Sequence, residues 1–291
     1  MNIERKKSLT ADEIQQMKAL AHICGQHDRI DYSSDLHINF LTARNKEEIN
    51  DFLFYDDTKL VGALSIYDFE RPTKLELIGF VHPNYRKQRI GTTLLQTAMK
   101  EIRLRGADEA LLIMNGDSAS GKEFAIHMEL PYLYSEYSME FKGKEVQKTT
   151  KNAIQLTLAS SKSLLDLIEL SSKAFGDSAE NTATWLQKMM NSSSHQVYSA
   201  LNDEKVIGTI TVSKEEQSTT LSGFAVHPSY QSKGYGKSMV HTLITEGVST
   251  IKLDVETKNN NALKLYTQCG FEMKTKHDYY NVMNFEVNTY V

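Results

Sequence analysis

The chain repeats itself at a spacing of 145 residues, and no other feature of the sequence restricts its architecture as strongly. The segment Gly79-Phe80-Val81-His82-Pro83-Asn84-Tyr85-Arg86 returns as Phe224-Ala225-Val226-His227-Pro228-Ser229-Tyr230-Gln231. The same offset relates Gly91 to Gly236, and the apolar stripe Leu94, Leu95, Ala98, Met99 to Met239, Val240, Leu243, Ile244. A stripe with that spacing lies along one face of a helix. With 291 residues available, the repeat implies two domains of one plan, 1–145 and 146–291.

The flanks agree. Thr58-Lys59-Leu60-Val61-Gly62-Ala63-Leu64 parallels Glu204-Lys205-Val206-Ile207-Gly208-Thr209-Ile210, each a hairpin turn feeding a strand. Met139-Glu140-Phe141 parallels Met283-Asn284-Phe285, read as closing strands. A linker is expected around residues 142–148, before an alternating strand from Ala153 to Leu158. Thr10-Ala11-Asp12-Glu13 has the spacing of a capping box, with a weaker version at Ser163-Leu164-Leu165-Asp166. Each half therefore reads as an α/β (α+β) domain, a mixed and largely antiparallel sheet flanked by helices.

Charge and cysteine content narrow the partners. Thirty-three Lys and Arg against 37 Asp and Glu give a net charge of −4, so no global positive field draws the chain to nucleic acid or a membrane. An anion must be bound locally. Two cysteines, Cys24 and Cys269, supply neither a disulfide framework nor a multi-cysteine zinc site, and no histidine pair has metal-ligand spacing; no metal is expected. The first residues form no apolar signal core and no 18 apolar residues run together, so the expected setting is the cytoplasm.

The second copy contains a local anion site. A strand, Thr220 to Val226, leads into Gln231-Ser232-Lys233-Gly234-Tyr235-Gly236 and then the helical stripe. Free backbone N–H groups and the positive helix end converge there, which suits phosphate. Gly234 and Gly236 let the backbone approach closely. The pattern fits neither the P-loop nor the dinucleotide fingerprint; a tight strand-to-helix connection is the alternative.

That loop resembles the pyrophosphate-binding loop of the GCN5-related N-acetyltransferases, Gln/Arg-x-x-Gly-x-Gly/Ala. A second signature follows: residues 253–271, with Asn259-Asn260-Asn261-Ala262 and Leu265-Tyr266-Thr267-Gln268-Cys269-Gly270-Phe271, are similar to the family's strand, Asn-containing turn and helix end. The resemblance implies an acetyl-CoA-dependent N-acetyltransferase acting on an amine of a small molecule or peptide, by direct attack on the thioester. It implies that backbone at Ala225 and Val226 orients the thioester and that Gln231, Lys233, Gly234, Tyr235, Gly236 and Lys237 form the pyrophosphate loop. It further implies that Asn259 holds the pantetheine arm and Tyr266 protonates the leaving thiolate. Tyr266 also fits a plain core position, and Lys237 a solvated one.

Asp254 and Glu256 share a strand face, and Glu256 is the candidate base, with a solvated acidic edge as the alternative. Cys269 reads as a small buried thiol, and His82 and His227, duplicated in both halves, as turn or packing residues rather than metal ligands. In the first copy Arg89 takes the place of Gly234, where its side chain would crowd the cradle or pair with phosphate. Phe124 stands at about the spacing of Tyr266. The first half is thus expected to be degenerate, as an acetyl-CoA holder or a structural partner, and the second half catalytic. A non-catalytic acyl-CoA-binding sensor or scaffold is the competing function.

Overall fold

The computed structural model describes residues 1–44, 47–71, 73–143, 154–214, 218–244 and 250–285. The linker expected around 142–148 falls, from 144 on, outside the described residues, as does Ala153. The first half runs β1 (Asn2–Lys6), α1 (Ala11–Asp28), α2 (Ile38–Ala43), β2 (Asp51–Asp56), β3 (Lys59–Arg71), β4 (Lys74–Val81), α3 (Ile90–Leu104), β5 (Glu109–Asn115), α4 (Ala119–His127) and β6 (Tyr132–Lys142). The second runs β7 (Gln155–Leu158), α5 (Leu164–Phe175), α6 (Ala179–Met190), β8 (His195–Asn202), β9 (Lys205–Lys214), β10 (Thr219–Val226), α7 (Tyr235–Ile244), β11 (Thr250–Glu256), α8 (Asn260–Gln268) and β12 (Glu272–Asn281). The mixed α/β class read from the sequence is what the chain adopts.

Local chemistry sets several boundaries. At the start of α1 the Glu13 N–H donates to the Thr10 hydroxyl at 3.2 Å and the Thr10 N–H to the Glu13 carboxylate at 2.7 Å, closing the capping box. Ser163 precedes α5 but makes no side-chain cap; its hydroxyl donates instead to the Ser160 carbonyl. Both halves carry the same device after Val-His-Pro: the imidazole Nδ1 of His82 accepts the Asn84 N–H and that of His227 accepts the Ser229 N–H. The two histidines are turn residues.

The compact units are not the chain-order halves. Unit 1 comprises Met1–Ser135 with His277–Val291, and unit 2 comprises Glu136–Lys276. In unit 1, residues 277–281 of β12 pair antiparallel with residues 111–115 of β5. In unit 2, residues 136–142 of β6 pair antiparallel with residues 250–256 of β11. Each unit therefore takes its closing strand from the other half of the sequence, so the boundary expected at 145/146 is not the packing boundary. Met283-Asn284-Phe285, expected as a strand, forms a turn closed by the Phe285 N–H on the Val282 carbonyl. Val282 is fully buried there in the unit 1 core.

Within unit 1 the sheet buries both faces. Leu64, Leu77 and Leu112 pack with Leu94, Leu95 and Met99 of α3, whereas Ala63, Ile78 and Ile113 pack with Met17, Leu20 and Cys24 of α1. Sequence neighbours go to opposite faces, as the strand period of two requires. Unit 2 divides similarly, with Leu253, Val255 and Met239 in one cluster and Leu167, Leu186 and Val197 in another.

Candidate functional site

In each unit a parallel strand pair separates before its strands end. In unit 1, β4 and β5 pair over 74–77 and 109–112 but continue to Val81 and Asn115. In unit 2, β10 and β11 pair over 219–221 and 251–253 but continue to Val226 and Glu256. Diverging parallel strands leave an opening through the sheet, with the following loop and helix start at its rim.

The rim loops are built alike. Gln231 donates from Nε2 to the Val226 carbonyl at 2.9 Å, and Arg86 donates from Nε to the Val81 carbonyl at 3.2 Å. Ser232 and Gly234 take left-handed φ values of 60° and 92°, and Lys87 and Arg89 take 61° and 62°. Arg89 thus reproduces the turn of Gly234, although a side chain in this region costs about 1–2 kcal/mol. Its side chain is exposed, so the backbone cradle keeps its form in the first copy.

Gly91 and Gly236 sit in the first turns of α3 and α7. A Cβ on Gly91 would lie 3.1 Å from the Phe124 ring, and one on Gly236 would lie 3.3 Å from Leu265 Cδ2. Phe124 is therefore the counterpart of Leu265, one position off the sequence expectation. Counted from the caps Ser118 and Asn259, Tyr266 matches Ala125, which is buried in the unit 1 core.

The openings differ. Unit 1 holds a cavity of about 660 Å3, within the usual range for small-molecule sites. Its walls draw on both faces of the sheet: Leu94, Leu95 and Phe124 from the α3 side, Cys24, Tyr32 and Ile78 from the α1 side. The cavity consequently passes through the sheet at the β4/β5 divergence. At the same level of unit 2, β10 bulges between Ser222 and Ala225. The Trp185 ring stands 2.6 Å from where a Cβ on Gly223 would be, and Phe224, the counterpart of Gly79, packs edge-on to Tyr266 at 6.0 Å.

The remaining sequence candidates are placed as follows. Tyr266 is 6% exposed among Phe224, Cys269 and Phe271, and burial holds its phenol far above the ordinary value. Glu256 and Asp254 are exposed and share a face of β11, with Asp254 accepting from the Ser138 hydroxyl. Leu253 and Val255, which pack with Tyr266, point the other way, so the expected acid and base lie on opposite faces. Asn259 caps α8, its side-chain oxygen accepting the Ala262 N–H at 3.1 Å. Ala225 and Val226 are buried at the end of β10. Lys233 donates to the Ser229 carbonyl at 2.8 Å, and the Tyr235 hydroxyl to Asn202 Oδ1 at 3.0 Å. Lys237 is half-buried in the first turn of α7. Cys269 is fully buried and its thiol pKa is pushed up to about 11 by that burial.

A polar set that the sequence reading missed lines the unit 1 cavity on its α1 side. Arg86 holds Asp28 with two hydrogen bonds of 2.7 Å each, and the Tyr32 hydroxyl donates to Asp28 at 3.2 Å. Burial pushes the Asp28 carboxyl up, but the bonds from Arg86, His27 and Tyr32 outweigh it and hold the group below its ordinary value. The same burial pushes Tyr32 up to about 12 and Cys24 up to about 11. Asp35, 6% exposed, also lines the cavity. The segment 28–35 carries no motif, and only long-range packing against β4 brings these groups together.

Among the described residues no helix is long and apolar enough to cross a membrane, and no group of three or more His, Cys, Asp or Glu is arranged to hold a metal ion.

Two units with one plan, each with a parallel strand pair that opens beside a left-handed loop and a helix start, define a tandem α/β protein. The sequence profile described as the Acetyltransferase (GNAT) family matches residues 14–124 and 164–271, and the chain belongs to that family. The fold resembles that of a solved GCN5-related N-acetyltransferase from Sphaerobacter thermophilus, with a TM-score of 0.75 at 14% identity over 96% of this chain and 95% of that one. A tandem GNAT protein from the clavulanic acid biosynthesis pathway gives a TM-score of 0.60 at 13% identity, covering 96% and 98% of the two chains. Among curated proteins, a [ribosomal protein bS18]-alanine N-acetyltransferase of Haemophilus ducreyi is 39% identical over 66 residues. That match spans 21% of this chain and 46% of the relative, less than half its length.

Proposed function

We propose that the chain is an acetyl-CoA-dependent N-acetyltransferase and that thioester and amine meet in the unit 1 cavity. The observation that carries the reading is the passage of that cavity through the sheet. Two substrates entering from opposite faces can then approach in line without exchanging places. Acetyl-CoA supplies the activated acyl group. The residues present suit it: backbone N–H groups at the start of α3 face the rim, Lys87 and Arg89 add positive charge, and Leu94, Leu95 and Phe124 offer apolar walls to a pantetheine arm. Backbone of β4 beyond Leu77, released from β5, has donors to orient a carbonyl. On the α1 side, Tyr32 and the carboxylate of Asp28 are the groups able to hold or move protons near the reacting atoms.

A second reading puts the chemistry in unit 2, favoured by Gly234 in its left-handed turn and by Tyr266 within its family-like segment. The non-catalytic sensor is the remaining alternative. A screen of primary amines that follows release of the CoA thiol tests all three. Turnover that survives Tyr266→Phe and is lost in Gly91→Val supports unit 1, and the reverse pattern assigns unit 2. Tight acetyl-CoA binding with no thiol release across the screen overturns the enzyme reading.

A further inference from the structure

The unit 1 cavity separates its charges by face. At the α3 rim the lining cations are Lys87 and Arg89, with Glu123 3.7 Å from Lys87. At the α1 end the lining carboxylates are Asp28 and Asp35. These two are not equivalent. Asp28 is neutralised by the bidentate Arg86 pair. Asp35 instead meets the Ser34 hydroxyl and the imidazole Nε2 of His277, both at 3.2 Å on Oδ1, and an imidazole balances the charge only when protonated. His277 reaches this place on β12, the strand that arrives from the other half of the sequence. Among the described residues no Lys or Arg pairs with Asp35, and a carboxylate 6% exposed without such a cation is costly to bury unless a positive ligand completes it.

We propose that Asp35 is the specificity-determining residue for the acceptor and that it selects primary amines that are cations in solution. The inference rests on the catalytic reading above. The ammonium group enters from the α1 side, pairs with Asp35 and releases one proton to solvent before its nitrogen attacks; the anionic thioester donor enters at the cationic α3 rim, and as the amide bond forms its C–S bond breaks to a thiolate that takes the second amine proton. The two ends of the cavity thereby sort the substrates by sign, which discriminates against an acceptor of either wrong charge. Tyr32 and Phe80, edge-on at 5.3 Å, line the same cavity, and these aromatic walls favour a slender alkyl chain behind the ammonium.

The test uses the full chain and two acceptors, butylamine, a cation at neutral pH, and aniline, which is neutral there. Asp35→Asn is expected to raise the KM for butylamine about 30-fold or more, the loss typical of truncating one partner of a buried charge pair. The KM for aniline and the acetyl-CoA Kd should change less than about twofold, a pattern that lost packing would not produce. His277→Gln, which keeps a donor toward Asp35, should leave the butylamine KM within about threefold. Equal losses for both amines, or a wild-type preference for aniline, overturn the proposal. If wild type acetylates neither amine, the catalytic reading fails and binding decides the selectivity: calorimetry of wild type with butylammonium against butan-1-ol supports the proposal if only the cation binds and overturns it if both or neither do. That measurement also serves if Asp35→Asn does not fold.

Discussion

Replacing Arg86 by Gln tests how the end of β4 is held, and the second unit supplies the design. There Gln231 makes the bond to the Val226 carbonyl that Arg86 makes to Val81, at 2.9 Å against 3.2 Å. Arg86→Gln should therefore keep the carbonyl bond and lose only the pair with Asp28. That pair comprises two charge-assisted bonds of 2.7 Å between side chains 21% and 11% exposed. Removing the guanidinium strands a mostly buried carboxylate, and about 3 kcal/mol is expected, against about 1 kcal/mol for an exposed pair. At about 2–4 °C per kcal/mol for a unit of this size, the unit 1 transition should fall by about 6–12 °C at pH 7. Calorimetric unfolding of wild type, Arg86→Gln, Asp28→Asn and the double variant gives the coupling directly, expected at about 2 kcal/mol. The pH dependence has a definite sign. Asp28 has a lowered folded pKa, so the pair stabilises fully above the ordinary carboxylate value and is lost as pH falls through the lowered one. Wild type and Arg86→Gln should converge in acid. A coupling below about 0.5 kcal/mol, or a gap that widens in acid, would refute the assignment.

Tyr266→Phe should leave CoA release within about twofold at saturating acceptor if unit 1 is catalytic; a loss of 100-fold, within the range of a missing general acid, would move the chemistry to unit 2. Gly91→Val places branched carbons against the Phe124 ring, 3.1 Å from an added Cβ, and should weaken acetyl-CoA binding at least about tenfold by titration calorimetry. Unchanged affinity would remove the α3 rim from the site. Thr10→Ala breaks one half of the capping box and should cost about 1 kcal/mol in urea unfolding.

Local signals were legible from the chain. The capping box, the Val-His-Pro turns and the paired helix stripes each depend on residues within a few positions of one another, and each appears as expected. Strand partnership is not local. Nothing in Met139 to Phe141 or in His277 to Asn281 encodes which β-edge it will join, so the exchange of closing strands was invisible. The correspondence of Phe124 with Leu265 was missed because the repeat offset of 145 holds only as far as α3 and α7. The caps Ser118 and Asn259 lie 141 apart. The cavity escaped notice for a different reason. Its presence turns on Gly79 standing where unit 2 has a bulge and Phe224, and on Arg89 accepting a left-handed turn that composition alone would assign to glycine.

The exchanged strands also impose an order on biosynthesis. Residues 111–115 of β5 lack the antiparallel partner they have in the finished fold until 277–281 have been made, although most of unit 1 is translated first. At about 5–20 residues per second, the roughly 140 intervening residues take some 7–30 s. Throughout that interval Leu111, Leu112 and Ile113 would stand on an open sheet edge, the template on which nascent chains pair with one another. A ribosome stalled anywhere in unit 2 would thus leave unit 1 unsealed as well, making the yield of the first domain hostage to completion of the last strand.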